Sequence, residues 1–371
     1  MRVIDPLLPV IAREFGVTLG AIGLVVTAYA LPYGICILGY GPLGDRYGKL
    51  RVIAVTLSLA AACIVASGFA NSVTTLALGR FLTGMTCAAT VPLTLAYIAD
   101  HVEFEQRQGV IARYMSGVIL GQICGSGLGG VLADVIGWHA IFWVFGATTG
   151  VVAAAVWWGT TQPPLAPQVR IGLRTALTRY RALFDDAKAR ELFTAIFVEG
   201  FCMLGGVAFI GALLHQRHGL SMTWVGLFLM GLGLGGLLYS ALVHWLLRMI
   251  GQRVMMIIGG VLMAQSFVVL AIAPVAWVCA PALVVLGFGF YLMHNTFQTL
   301  ATELAPEARG TAVSLFVFML FSGQGIGAAA WGYVIDVHGF TIAFGMVGIL
   351  LGLLAMWMQG GRSLARYRYV D

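Results

Sequence analysis

Apolar residues come in long unbroken blocks, and the polar residues gather in the short gaps between them. Runs near 20–40, 52–70, 75–98, 111–133, 140–159, 192–213, 222–246, 254–273, 281–301, 311–335 and 340–358 are almost free of charge. A helix rising 1.5 Å per residue needs roughly 20 such residues to cross a hydrocarbon layer about 30 Å thick. Each block is therefore predicted to be a membrane-spanning helix, eleven in all. Most gaps are only long enough to return the chain as an antiparallel hairpin. The exception is 161–191, with Pro163, Pro164 and Pro167 followed by a basic run that includes Asp185 and Asp186. It divides five spans from six, so the predicted organisation is a helical bundle over 1–160, a linker over 161–191, a second bundle over 192–358 and a tail over 359–371. The fold class is an all-α polytopic membrane protein.

Composition agrees. Sixty per cent of the 371 residues are hydrophobic and 10% charged, against about 25% charged in a soluble domain. The net charge of +6 raises nucleic acid as a partner, but its distribution argues against it. Of the 21 Lys and Arg residues, 17 fall on one side of the predicted topology: Arg46, Lys49, Arg51, Arg107, Arg113, Arg170, Arg174, Arg179, Arg181, Lys188, Arg190, Arg248, Arg253, Arg309, Arg362, Arg366 and Arg368. Only Arg13 and Arg217 fall on the other, Arg80 lies within a span and Arg2 at the start. Positive loops face the cytoplasm, which places the 41–51 turn and the C-terminus inside the cell. Six scattered cysteines lack metal-ligand spacing and read as small helix-packing residues. No metal, cofactor or disulfide is implied.

The two bundles are related in sequence. At an offset of 202, Arg107, Gly121, Gln122, Gly125, Gly130, Asp134, Val135, Gly137, Phe142 and Gly146 recur as Arg309, Gly323, Gln324, Gly327, Gly332, Asp336, Val337, Gly339, Phe344 and Gly348. Internal duplication in a helical membrane protein is a mark of secondary transporters, whose substrate site lies between the repeats. Within spans, three features bear on chemistry. Arg80 is costly in a bilayer unless it meets a partner or a water-filled cavity, or snorkels to the interface. Glu199 carries the same cost and is the second half's carboxylate candidate for proton coupling, as Asp5 is the first half's, unless it only caps a helix end. His294 and Gln298 stand four apart on one helical face beside Asn295, forming either a substrate contact or a buried hydrogen-bonded network.

The turn GPLGDRYGKLR at 41–51 has the spacing Gly41-x-x-x-Asp45-Arg46-x-Gly48-Lys49, which resembles the loop between the second and third helices of the major facilitator superfamily. Arg80-x-x-x-Gly84 resembles that family's fourth-helix motif, and the glycines of 117–130 resemble the antiporter motif of its drug:proton antiporters, the arabinose-efflux-permease-like members. Ser126 stands where that motif has proline. The resemblance implies two pseudo-symmetric bundles on a twelve-helix plan. Because Met1 is followed at once by Ile4-Asp5-Pro6-Leu7-Leu8-Pro9, like the outer end of the family's first helix, the chain is expected to begin late in that helix, through a downstream start or truncation. It also implies that Asp45 docks near the start of the 311–335 span, that Arg46 and Lys49 pair with Asp100, that Arg80 serves proton coupling, and that the 281–301 span lines the cavity. The charges of the loop also set orientation. Gly121, Gly125 and Gly130, with Gly323 and Gly327, are expected to let helices pack closely.

No Walker sequence, HExxH or nucleophile elbow is present, so neither ATP-driven transport by this chain alone nor enzymatic chemistry is expected. The reading is a monomeric, multi-pass transporter of a bacterial inner membrane. It would export drugs or other small organic molecules in exchange for protons, its only partners being substrate, protons and lipid. Proton-coupled uptake of a sugar, amino acid or organic acid, and a non-transporting membrane sensor, are the rivals.

Overall fold

A computed structural model describes residues 2–160, 178, 180, 181, 183–304 and 309–360, and among these the backbone is almost wholly helical with no strand. The predicted tail and most of the 161–191 linker lie outside the described residues. A 3-10 turn over Arg2–Leu7 leads into α1 (Leu8–Glu14). Then follow α2 (Leu19–Tyr47), α3 (Lys49–Ser67), α4 (Val73–Cys87), α5 (Thr90–His101) and α6 (Phe104–Gly159). The second set comprises α7 (Ala187–Glu199), a π turn over Gly200–Leu204, α8 (Gly205–Val207), α9 (Ile210–His218), α10 (Met222–Ile272), α11 (Ala276–Leu304) and α12 (Arg309–Gly360).

Among the described residues, eight helices or near-continuous helical stretches are long and apolar enough to span a membrane. Three of them, α6, α10 and α12, double back at Gly137 (φ 76°, ψ 162°), Gly251 (φ 70°, ψ 165°) and Gly339 (φ 79°, ψ 172°). Only glycine adopts that conformation cheaply, so each helix reverses about a single residue instead of through a loop. The described residues thus make eleven crossings, as the hydrophobic blocks predict. Polar residues set several starts: Ser72 and Thr75 form a reciprocal capping box before α4, and Asp186 caps α7 through the Lys188 amide at 2.8 Å.

The stretch Ala187–His218 is the central column, with 83% of its most apolar window buried, against 22% for Gln106–Gly159 at the periphery. Large apolar side chains such as Val135, Val151 and Trp158 are exposed, as lipid-facing positions are. Helix α2 packs on α4 and α12, α3 on α4 and α6, and α10 on α6, α11 and α12. Successive crossings put the 41–51 turn and Gly251 at one end, hereafter the basic end, and Gly137 and Gly339 at the other.

Contacts between helices before 160 and after 187 concentrate towards the end opposite the basic one. Along α2 and α12, Gly20 meets Asp336, the Thr27 hydroxyl donates to the Gly325 carbonyl at 2.7 Å, and Tyr33 stacks on Phe321 with centroids 4.3 Å apart. Along α6 and α10, Gly130 lies against Gly226 and Ile123 against Gly233. Towards the basic end several glycines of the first-set helices are open. Gly39, Gly41, Gly117 and Gly121 have nothing within 4 Å of where a Cβ would stand.

Candidate functional site

Between the two sets, a small crevice of about 30 Å³ is lined by Gln122, Ile123 and Ser126 of α6, Met203 of the π turn, Leu229, Leu232 and Gly233 of α10, and Gly287, Phe290 and Tyr291 of α11; hereafter it is the cavity. Its walls are mainly apolar. Gln122, Ser126 and Tyr291 supply the polar side chains, and Gln122 is exposed on the opening side.

Behind this cavity lies a buried acid. Glu199 ends α7 immediately before the π turn and is completely buried. One carboxylate oxygen, Oε2, pairs with His294 Nδ1 at 3.2 Å, while Oε1 has no hydrogen-bond partner. Phe290 stacks on the His294 ring at 4.7 Å and Phe316 flanks it at 5.1 Å, so the pair sits in aromatic surroundings. Holding one shared proton, the pair is neutral overall. Without that proton it leaves a net negative charge buried, at a cost of several kcal/mol. Two routes join the pair to the cavity. Phe290 touches both, and the π turn that begins after Glu199 carries Met203 to the cavity wall. The Trp331 indole donates to the Phe201 carbonyl within that turn at 2.8 Å, satisfying a group that irregular backbone exposes.

His294 therefore faces Glu199, with Phe290 between it and the cavity. Its sequence neighbours diverge: Asn295 shares a side-chain hydrogen bond with Tyr239, and Gln298 is exposed. The expected patch of three is thus not one cluster.

In the first set, Arg80 is buried, 4% exposed, with its guanidinium 4.4 Å from the centre of the Tyr29 ring. It does not snorkel. Asp5 is close enough to act on it electrostatically, and Arg80 Nε has no hydrogen-bond partner. Nothing in the sequence marks Tyr29 as the arginine's cover, since the two belong to different helices 51 residues apart.

In the basic turn, Lys49 lies between Asp45, at 3.3 Å, and Asp100, with which it is hydrogen-bonded. Arg46 instead lies over the Tyr47 ring at 5.0 Å. The pairing with Asp100 is thus made by Lys49. Asp45 is tied to Lys49 of its own set, and residues 305–308, just before α12, lie outside the described residues. Gly48, at φ 90°, makes the tight reversal between α2 and α3.

The glycines divide by position. Gly323 and Gly327 face the α7 and π-turn backbone at Phe197 and Phe201, and Gly130 faces Met222 and Gly226. Gly121 and Gly125 have no such neighbour. At Ser126, α6 continues unbroken, its hydroxyl donating to the Gln122 carbonyl at 3.2 Å.

The Major Facilitator Superfamily model matches residues 1–328. The chain is 26% identical over 349 residues to the uncharacterized MFS-type transporter YceJ of Bacillus subtilis, covering 91% of this chain and 88% of that one. Among solved structures, the nucleoside transporter NupG superposes with a TM-score of 0.80 at 14% identity, covering 98% of this chain and 95% of that one. A bacterial homologue of the human lysosomal transporter Spinster, solved inward-facing and unoccupied, gives 0.77 at 18% identity, covering 99% and 94%. The chain is a multi-pass membrane transporter belonging to the Major Facilitator Superfamily.

Proposed function

We propose that this protein exports small, largely apolar organic molecules in exchange for protons, by alternating access of the cavity between two halves, 1–160 and 192–358. The observation that carries this is the Glu199–His294 pair, buried behind the cavity and joined to it through Phe290 and the π turn. A proton on the pair relieves the cost of a buried charge. Its loss favours whichever state gives the pair water or a new partner, and that differential is what couples proton to conformation.

On this reading the basic end is cytoplasmic, as the positive-inside rule requires, and the present state is open there and closed outside. Arg80 and Asp5 form the charged centre of the first half, the lesser partner in coupling. Asp45, Arg46 and Lys49, with Gly41, Gly48 and Asp100, form the cytoplasmic gate, which re-forms against the start of α12 when that side closes. Gln122, Ser126 and Tyr291 orient substrate, with Asn295 and Gln298 further along α11. The protein works as a monomer in a bacterial inner membrane, its C-terminus inside.

The test is accumulation of a panel of fluorescent cationic and neutral drugs in an efflux-deficient bacterium, with and without a protonophore. Protonophore-sensitive lowering of accumulation by the wild type but not by Glu199→Gln is expected. Lowering that persists in Glu199→Gln overturns the role of the pair. The unbroken helix at Ser126 favours a second reading, symport with protons, in which expression raises the accumulation of a panel member.

A further inference from the structure

Asp134 and Asp336 are identities of the internal repeat, each within an Asp-Val-x-Gly sequence ending a helix. Asp134 stands three residues before the Gly137 reversal, Asp336 three before Gly339. A carboxylate there faces the negative end of its own helix dipole, an unfavourable place without a partner. Each finds one in the other set. Asp134 Oδ2 accepts from the Thr223 amide at 2.8 Å and from the Thr223 hydroxyl at 2.7 Å. Asp336 Oδ2 accepts from the Gly20 amide at 3.0 Å.

The two contacts are equivalent in detail. Gly20 is the second residue of α2 and Thr223 the second of α10. In each helix the N-cap side chain is used one residue further on: Thr18 Oγ1 accepts from the Ala21 amide and Ser221 Oγ from the Trp224 amide. The second amide is therefore an orphan donor at the positive end of a helix, and a carboxylate from the opposite set takes it. The helices can approach this closely because glycines line the contact. A Cβ on Gly20 would stand 2.9 Å from the Gly332 carbonyl oxygen, and one on Gly226 would stand 2.9 Å from the Gly130 Cα.

We infer that Asp134 and Asp336 are a pseudo-twofold pair of gate residues that hold the end opposite the basic loops shut, and that both contacts break when that end opens. This rests on the alternating-access reading, but it concerns closure of one gate and not the proton or the substrate. The residues are positioning groups: they set which state is populated without touching the cavity.

The test uses spin labels in an otherwise cysteine-free chain, with distances read by pulsed electron resonance. One pair, at Asn71 and Gln216, reports the latched end, and the other, at Glu103 and Arg248, the basic end; all four residues are exposed. Asp134→Ala and Asp336→Ala should each raise the ratio of open to closed at the latched end by about three- to tenfold, the effect of losing a charge-assisted hydrogen bond at a wet site. The double variant should exceed either single one. The Glu103–Arg248 distance should shorten in the same samples, a reciprocal change that loosening of the fold does not produce. Asp134→Asn and Asp336→Asn, which keep an acceptor oxygen, should fall between and serve if the alanine variants unfold. Unchanged distances in folded variants, or lengthening at both ends together, overturn the inference. Unchanged distances with proton-driven transport intact would refute the latch and leave the proposed function standing.

Discussion

Replacing Gly226 by alanine places a methyl group where two helices already touch. Its Cβ would lie 2.8 Å from the Ser126 carbonyl oxygen, 2.9 Å from the Gly130 Cα and 3.0 Å from the Gly127 carbonyl oxygen. All three are backbone atoms, so no rotamer change relieves the clash, and α10 must move from α6 by about 0.5 Å to restore ordinary contact near 3.4 Å. Overpacking of this kind costs about 1–3 kcal/mol. The gain of about 1 kcal/mol from replacing a helical glycine is present in every state and cancels from the ratio between them. The clash, by contrast, exists only while α6 and α10 are closed on each other. The substitution should therefore raise the open-to-closed ratio at this end by about 5- to 150-fold, read as growth of the longer Asn71–Gln216 distance. Gly121→Ala is the control, since its Cβ would meet nothing within 4 Å. An unchanged distribution in Gly226→Ala, or an equal shift in Gly121→Ala, would show that this contact does not set the equilibrium.

Glu199→Gln should fold and reach the membrane but lose concentrative transport. Coupling to one proton supports about a tenfold substrate ratio per pH unit, and the ratio in vesicles should fall to about one. Tyr29→Leu removes the ring over Arg80 and should cost about 1–2 kcal/mol, seen as a Tm lowered by a few degrees, whereas Tyr29→Phe should be near wild type. Equal losses in both would assign the effect to the hydroxyl. Gly137→Ala forces a side chain into a backbone conformation reserved for glycine and should destabilise by about 1–3 kcal/mol in thermal unfolding.

The spans are legible in the sequence because a bilayer imposes a length on every apolar block, and eleven blocks correspond to eleven crossings. The reversals at Gly137, Gly251 and Gly339 are visible as gaps, but not as single-residue turns, which depend on φ and not on hydropathy. Charges within spans are conspicuous for their cost, which singles out Arg80 and Glu199. Their partners are not, because Tyr29 and His294 reach them across 51 and 95 residues of sequence. His294 stands out in the sequence as a substrate contact or part of a polar network; its neighbours on α11 give no sign that its ring turns towards α7. Asp134 and Asp336 stand among the repeat identities without any hint of purpose. Their partners are backbone amides, and a sequence does not display which amides a fold leaves orphaned.

The most direct test is proton movement in inverted membrane vesicles carrying this protein, with a pH-sensitive dye in the lumen and no imposed gradient. A panel of neutral and cationic aromatic compounds would be added to the outside, which is the cytoplasmic face. Exchange of substrate for protons should turn the lumen alkaline with at least one compound, and Glu199→Gln should abolish the change. Acidification of the lumen would establish symport instead, and alkalinisation that survives in Glu199→Gln would remove the Glu199–His294 pair from the proton's path.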